Sequence, residues 1–418
     1  MDAKVVSSHR IREGACEVTH PGDEFSAALF ASLRRSDQRL RARHYLTGLL
    51  AAQGRKSIRN IAASVGGAAA EQSLHHFISS STWDWSPIRE ALADHVARVL
   101  APRAWVVRPL FIPKAGEHSV GVERQFSPGC GQVLNGQLAY GAWAATEGTS
   151  VPVQWRLHLP ESWLGDARRR RRAEIPDSAQ AETPDECATA TALTLLGRPA
   201  VPKRPVVLDT HVTGLGGVVR PFAEAGIPLL ARVQGSTRLI VADRAMPGYR
   251  AGAISARQIM ESVQGLRRPL DAARGPVRRT MLAAAVRVRL PRPGLGPELL
   301  LIGEWHERGK APTALWLAAP ATAPVGDLVR LTWLAQRVAQ DEKRTGEQVG
   351  VRDFEGRSFR GWHRHMTLAS VAHAVSVLAD ASGVSGVSGA SDGSHESRDS
   401  HESCASTEPR VWALRASA

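Results

Sequence analysis

Cysteine is scarce in this chain of 418 residues: Cys16, Cys130, Cys187 and Cys404 lie far apart and none forms a Cys-x-x-Cys pair. Their spacing excludes a disulfide framework and a zinc ribbon and fits a reducing cytoplasm. No apolar run of about 18 residues occurs, and the N-terminal MDAKVVSSHRIREGACEVTH lacks the apolar centre of a signal peptide. No glycine loop leads into Lys-Ser/Thr, and Gly214-Leu215-Gly216-Gly217 lacks the dinucleotide spacing, so no nucleotide cofactor is expected. Carboxylates are also short, with 40 Asp plus Glu against 53 Lys plus Arg, a formal charge of +13. That excess favours a polyanionic partner, nucleic acid above all, although arginine-rich coding alone would also produce it. The expectation is a soluble, cytoplasmic, nucleoid-associated protein that uses no membrane. With 43% apolar residues the chain can fill a sizeable core over two or three domains.

Patterning divides the chain. Residues 1–25 are polar and aperiodic, and an unstructured N-terminus is expected there. Over 26–100, FSAALFASLRRSDQRLRARHYLTGLLAAQ has apolar residues at helical spacing with arginines on other faces. RKSIRNIAASVGGAAAEQSLHHFISSS then reads as helix, Gly-Gly turn, helix, with Ser57 as cap and Gly66-Gly67 as stop. The interval from Ala62 to Gly66 suits a helix-turn-helix, but Gln72 and His75 stand where that motif wants apolar packing, so an ordinary helical hairpin fits as well. From about 101 to 235, AWVVRPLFI, HSVGVERQF, GQLAYGAWAAT and VPVQWRLHL predict adjacent antiparallel strands. DECATATALTLLG predicts a helix, and RPVVLDTHV a buried strand. Residues 236–325 read as a β-rich insertion and 326–380 as helices that resume the core. The Ser/Gly-rich 381–418 is too polar to offset the entropy of ordering and is expected to be unstructured.

Each cluster that could carry chemistry has a plainer reading. His363, His365 and His373 could form a metal cluster, yet histidines two apart on a helix face different ways, and a surface or phosphate-facing role suits them better. The run Arg168 to Arg172 could hold phosphates or be a solvated loop. Trp83 and Trp85 could stack on bases, but tryptophans near a helix start are commonly core anchors. Asp209 ends a strand where catalytic groups collect in α/β sheets, and it could equally be a turn residue.

GRKSIRNIAA, LHHFISSSTWDW, IPKAGEHSVGV, VPVQWRLHLPESW, RPVVLD and DFEGRSFRGWHRH, in this order, resemble the DDE-superfamily transposases of bacterial insertion sequences over about residues 30 to 380. The resemblance implies an α/β fold: a ribonuclease H-like core, a helical N-terminal DNA-binding region and a β-rich insertion before the last core helix. It also implies DNA as partner, a homodimer, and Mg²⁺ held by three carboxylates if the chain is active. In the family an Asp pair precedes Thr-Gly-Phe-Pro-Lys, and here those positions are Arg108 and Pro109. Asp209 falls on the second acid. Counting back from DFEGRSFRGWHRH puts the third on Ala339, while a two-residue slip pairs Arg337 with Asp341. A unit positive charge about 4 Å from a divalent ion costs roughly 8 kcal/mol at an effective dielectric of about 20. Asp209 is therefore the one retained catalytic and metal-ligand candidate, and no cofactor is expected if the chain is silent. Arg108 could face a phosphate where metals would sit. Further DNA contacts are expected from Arg55, Lys56, Arg59, Lys114, Arg357, Arg360, His363 and Arg364. The leading expectation is a DNA-binding family member that has lost phosphodiester chemistry. The alternative is an active cut-and-paste transposase using Glu117, Glu123 or Asp341 as substitute carboxylates.

Overall fold

The computed structural model describes residues 21–127, 131–274, 277–291, 297–306, 309 and 311–387. Most of the two segments expected to be unstructured lies outside them. Where they overlap, helix α1 (Pro21–Phe30) starts inside the first segment, and the last helix runs past residue 380 to Val387.

Four more helices follow: α2 (Ser36–Ala51), α3 (Ile58–Ala63), α4 (Ala68–Ser79) and α5 (Ser86–Leu100). Ser57 caps α3, its hydroxyl accepting the Asn60 N–H at 3.2 Å. The turn into α4 passes through Gly67 at φ +62°, a conformation that favours glycine. A Cβ on Gly48 of α2 would collide with Ile61 Cγ2, so only glycine permits this crossing of α2 and α3. Helix α4 buries Leu74, Phe77 and Ile78 and turns Gln72 and His75 outward.

Next come β1 (Ala104–Pro113), β2 (Val122–Ser127), β3 (Gln132–Ala145) and β4 (Ser150–Leu157). Short helices α6 (Glu161–Leu164) and α7 (Ala167–Arg172) lead to α8 (Pro184–Leu196), β5 (Val206–Val212), α9 (Leu215–Glu224) and β6 (Leu229–Val233). Strand β3 pairs antiparallel with β1, β2 and β4, as the alternating runs predict, whereas β1, β5 and β6 run parallel. Trp105, Val106 and Val107 are all fully buried. Consecutive strand residues point to opposite faces, so both faces of the sheet are covered here. Helix α8 starts with a capping box in which Thr183 and Glu186 satisfy each other's backbone N–H groups.

The region expected as an insertion is β-rich but builds no sheet of its own. It supplies β7 (Arg238–Val241), β8 (Ala253–Ser255), α10 (Ala256–Ser262), β9 (Arg268–Arg274), β10 (Val277–Arg289), β11 (Leu299–Trp305) and β12 (Ala314–Ala319). Strand β12 pairs antiparallel with β6, so these strands prolong the core into one sheet of 12 strands. An unpaired β6 edge would leave backbone N–H and C=O groups exposed, and β12 removes that edge.

Helix α11 (Val325–Asp341) continues without a break into a π-turn, Glu342–Gly346, and α12 (Phe359–Val387) closes the described chain. Every residue from Gly361 to Ala374 on α12 is buried, the mark of a helix surrounded by protein. No helix among the described residues is long and apolar enough to cross a membrane.

Candidate active site

The site grows out of the register of three parallel strands. Val107 of β1 lies beside Leu208 of β5, which lies beside Ala231 of β6. One residue further along each strand come Arg108, Asp209 and Arg232, just past the last paired residues and where the β5–β6 register begins to shift. Neighbouring strands sit about 4.8 Å apart, so an anion is flanked by two cations. The β1–β5 ladder stops here for a local reason. Trp105 donates its N–H to Pro205 on the β5 side, alternate residues repeat that direction, and Pro109, the next but one after Val107, has no N–H to give.

Arg108 Nη1 donates to Asp209 Oδ2 at 3.1 Å, and Arg232 Nη1 donates to Asp209 Oδ1 at 3.0 Å. On its other side Arg108 Nε lies 2.9 Å from Glu342 Oε2, close enough for an ion pair but without hydrogen-bond alignment. Glu342 Oε1 accepts from Arg352 Nη2 at 2.6 Å, and Arg352 Nη1 donates to the Phe111 carbonyl at the same distance. The result is a continuous row, Arg232–Asp209–Arg108–Glu342–Arg352, with three guanidinium groups on two carboxylates. Side-chain exposure is 10% for Asp209 and 6% for Glu342, so water does little to screen the two carboxylates, while Arg232 and Arg352 at the ends of the row reach solvent at 36% and 37%. Opposite charges this enclosed hold firmly once paired, and removing one partner strands the other.

Two neighbours fix the frame. Asp185, buried on α8, accepts the Thr213 and Gly214 N–H groups at 2.8 and 2.6 Å and so pins the turn after β5. A carboxylate thus already sits at the N-terminus of α9. Beyond Arg232, Glu304 accepts the Thr332 hydroxyl at 2.5 Å, and burial pushes its carboxyl above the usual range.

The structure sorts the residues singled out from the sequence. Asp209 stands at the centre. Arg108 is held by two carboxylates rather than presented to a phosphate. Ala339, half-buried on α11, is not the residue facing Asp209 across Arg108; that residue is Glu342, three positions later and at the start of the π-turn. Asp341 does pair with Arg337, at 3.4 Å, but it also accepts from Ser150 on β4 at 2.8 Å and makes no contact with Asp209. Glu117 and Glu123 are exposed, whereas Asp209 is enclosed between Arg108 and Arg232.

The expected DNA contacts divide in two. Arg55, Arg59, Arg357 and Arg360 are exposed, Arg55 with an ion pair to Glu355 at 3.2 Å. Four others serve the interior. Lys56 is buried and donates to the Ala52 carbonyl. Lys114 donates to the Phe354 carbonyl, and burial lowers its pKa to about 8. Arg364 is 1% exposed and spreads over the carbonyls of Ile78, Ser81 and Trp83. His363 stacks on Trp85 at 4.9 Å, and burial lowers its pKa well below the histidine range. His365 bridges Tyr45 and the Gly350 carbonyl, and His373 meets the Ser150 carbonyl. These three histidines are packing residues with separate partners, and no group of three metal-ligating side chains occurs among the described residues.

Sequence reasoning did not reach Arg232, Glu342 or Arg352. Arg232 left one signal, a lone charge inside the apolar strand LLARV.

A family model described as DDE superfamily endonuclease matches residues 28–282. That span is more than half of the chain, and the protein belongs to this family, which implies a ribonuclease H-like fold. The order β4-β3-β1-β5-β6, a meander followed by two parallel strands, supplies the mixed core. The chain is also similar to a probable transposase for insertion sequence element IS701 from Microchaete diplosiphon, with 29% identity over 124 residues. That match covers 28% of this chain and 32% of the relative. Arg108, Asp209 and Arg232 lie inside the family match, and Glu342 and Arg352 lie beyond it. The divalent ions such a family implies do not fit the residues as they stand. Each of the four oxygens of Asp209 and Glu342 already faces a guanidinium nitrogen, and arginine has no acceptor to offer a cation.

Proposed function

We propose that this chain binds DNA and occupies it without cutting or joining strands, acting through transcriptional control or interference with a related active element. The row Arg232–Asp209–Arg108–Glu342–Arg352 carries this reading. Metal-assisted phosphodiester chemistry needs carboxylate oxygens free to hold cations on the attacking and leaving oxygens. We read Arg108 as standing at the family's first acid and Glu342 as the counterpart of its third. Two acids then persist, but a guanidinium lies between them and supplies the positive charge internally. Contact with DNA falls to the exposed Arg55, Arg59, Arg357 and Arg360.

The test is strand cleavage and joining on duplexes ending in candidate terminal repeats, with Mg²⁺ or Mn²⁺. Retained binding with no product is expected. Product formation abolished by Asp209→Ala refutes the silent reading and favours an active transposase.

A further inference from the structure

The five consecutive arginines of α7 are not equivalent. Asp166 caps this helix of six residues, accepting the N–H groups of Arg168 and Arg169 at 2.8 and 3.0 Å. Arg169 folds back over the Trp163 ring, 5.4 Å from its centroid, and Arg170 donates to the carbonyls of Pro176, Asp177 and Ala179. Those two are spent on holding the segment in place. Arg168 and, about one turn further on, Arg171 and Arg172 remain exposed, with no carboxylate within ion-pair distance among the described residues; Arg171 makes only a single bond, from Nε to the Ala167 carbonyl at 3.3 Å.

A second segment adds to them. The Phe359 N–H donates to the Ala173 carbonyl at 2.7 Å, which seats the start of α12 against the end of α7. Arg357 and Arg360 flank that contact and are likewise exposed and, among the described residues, without a carboxylate partner. Arg357 lies on the same loop as Arg352, which ends the row at the candidate active site.

An isolated helix this short does not form in water, and like charges three and four apart weaken it further. Here a cap, a ring contact and a three-carbonyl anchor hold a self-repelling array in one shape. From this we infer that Arg168, Arg171 and Arg172, extended by Arg357 and Arg360, form a phosphate-binding surface for the backbone of duplex DNA, read without regard to sequence. The inference rests on the DNA-binding reading above and adds a surface to it.

The test compares the salt dependence of binding to a random-sequence duplex. Three proteins are used: the full chain, the triple variant Arg168→Ala/Arg171→Ala/Arg172→Ala, and a charge-matched control, Arg204→Ala/Arg244→Ala/Arg250→Ala, at exposed positions elsewhere. The α7 variant should keep the wild-type melting temperature while its slope of log affinity against log salt falls by about 2 to 3, roughly 0.9 for each phosphate no longer neutralised. Lysine at the three positions should restore most of the slope, since phosphate binding needs chiefly charge. An unchanged slope, or equal losses in the α7 variant and the control, overturns the inference and leaves the DNA-binding reading standing. A wild-type chain that binds no duplex overturns both. A loss seen on anionic phospholipid vesicles but not on the duplex assigns the surface to another partner and also overturns it.

Discussion

Arginines inside this protein and arginines on its surface do opposite work. Arg108, Arg232 and Arg352 have carboxylate partners, while Arg89 and Arg364 are buried against carbonyls and hydroxyls of α12, β4 and the α4–α5 turn. Burial is costly enough to lower the pKa of Arg89 to about 9 and of Arg364 to about 10. Arg59, Arg357 and Arg360 are exposed and have no carboxylate partner among the described residues. A net charge of +13 therefore does not say how much charge reaches a partner. Only the fold says which guanidinium groups are still free.

That contrast can be broken most forcefully at Arg364. Arg364→Ala leaves the carbonyls of Ile78 and Trp83 without their donor and should cost about 3 to 5 kcal/mol, the range for breaking a buried charged network. Urea unfolding measures it, and a loss below about 1 kcal/mol would put Arg364 among the surface arginines.

The buried histidines sharpen the same division through pH. Burial holds His365 and His373 at about 4, below the ordinary 6.5. Their folded pKa is depressed, so the unfolded chain takes up protons first. Stability is complete above about pH 6.5 and falls as pH drops towards 4, by up to about 3 kcal/mol for each group. Thermal unfolding across that window should show the decline, and His373→Gln should remove the share of that one group and leave that of His365. A profile level from pH 7 to pH 4 contradicts the assignment.

The smallest effect belongs to the surface. Arg360→Ala should change stability by less than about 0.5 kcal/mol, yet lower the salt slope of DNA binding by about 1. Urea unfolding and binding titrations on the same sample separate the two, and a destabilised variant with an unchanged slope would reverse the distinction.

Much of the frame is visible in the sequence because it depends on local pattern. Apolar runs mark β1 and β5, three-and-four spacing marks α11 and α12, and Ser57 and the Gly-Gly turn mark the first helix pair. What is hidden depends on long-range placement. Nothing near β6 says that β12 will pair with it, so the insertion looks like a separate piece. Arg364 and His363 have the residue types of a DNA contact, and only the burial of α12 shows that they serve the interior. Glu342 is missed because the gap-free count back from DFEGRSFRGWHRH runs three positions past it to Ala339, and nothing in the sequence marks the π-turn at which α11 carries this acid into the row. Arg352 reaches Glu342 from a loop, where no periodicity announces it.

The row of ion pairs between β1, β5, β6 and the π-turn is the claim on which the rest depends, and metal binding tests it most directly. Thermal unfolding in rising Mn²⁺ should leave the wild-type chain unchanged, whereas Arg108→Asp, which turns the row into a cluster of three carboxylates, should gain a metal-dependent rise in melting temperature. Wild-type stabilisation by Mn²⁺ that disappears in Asp209→Ala would contradict the account.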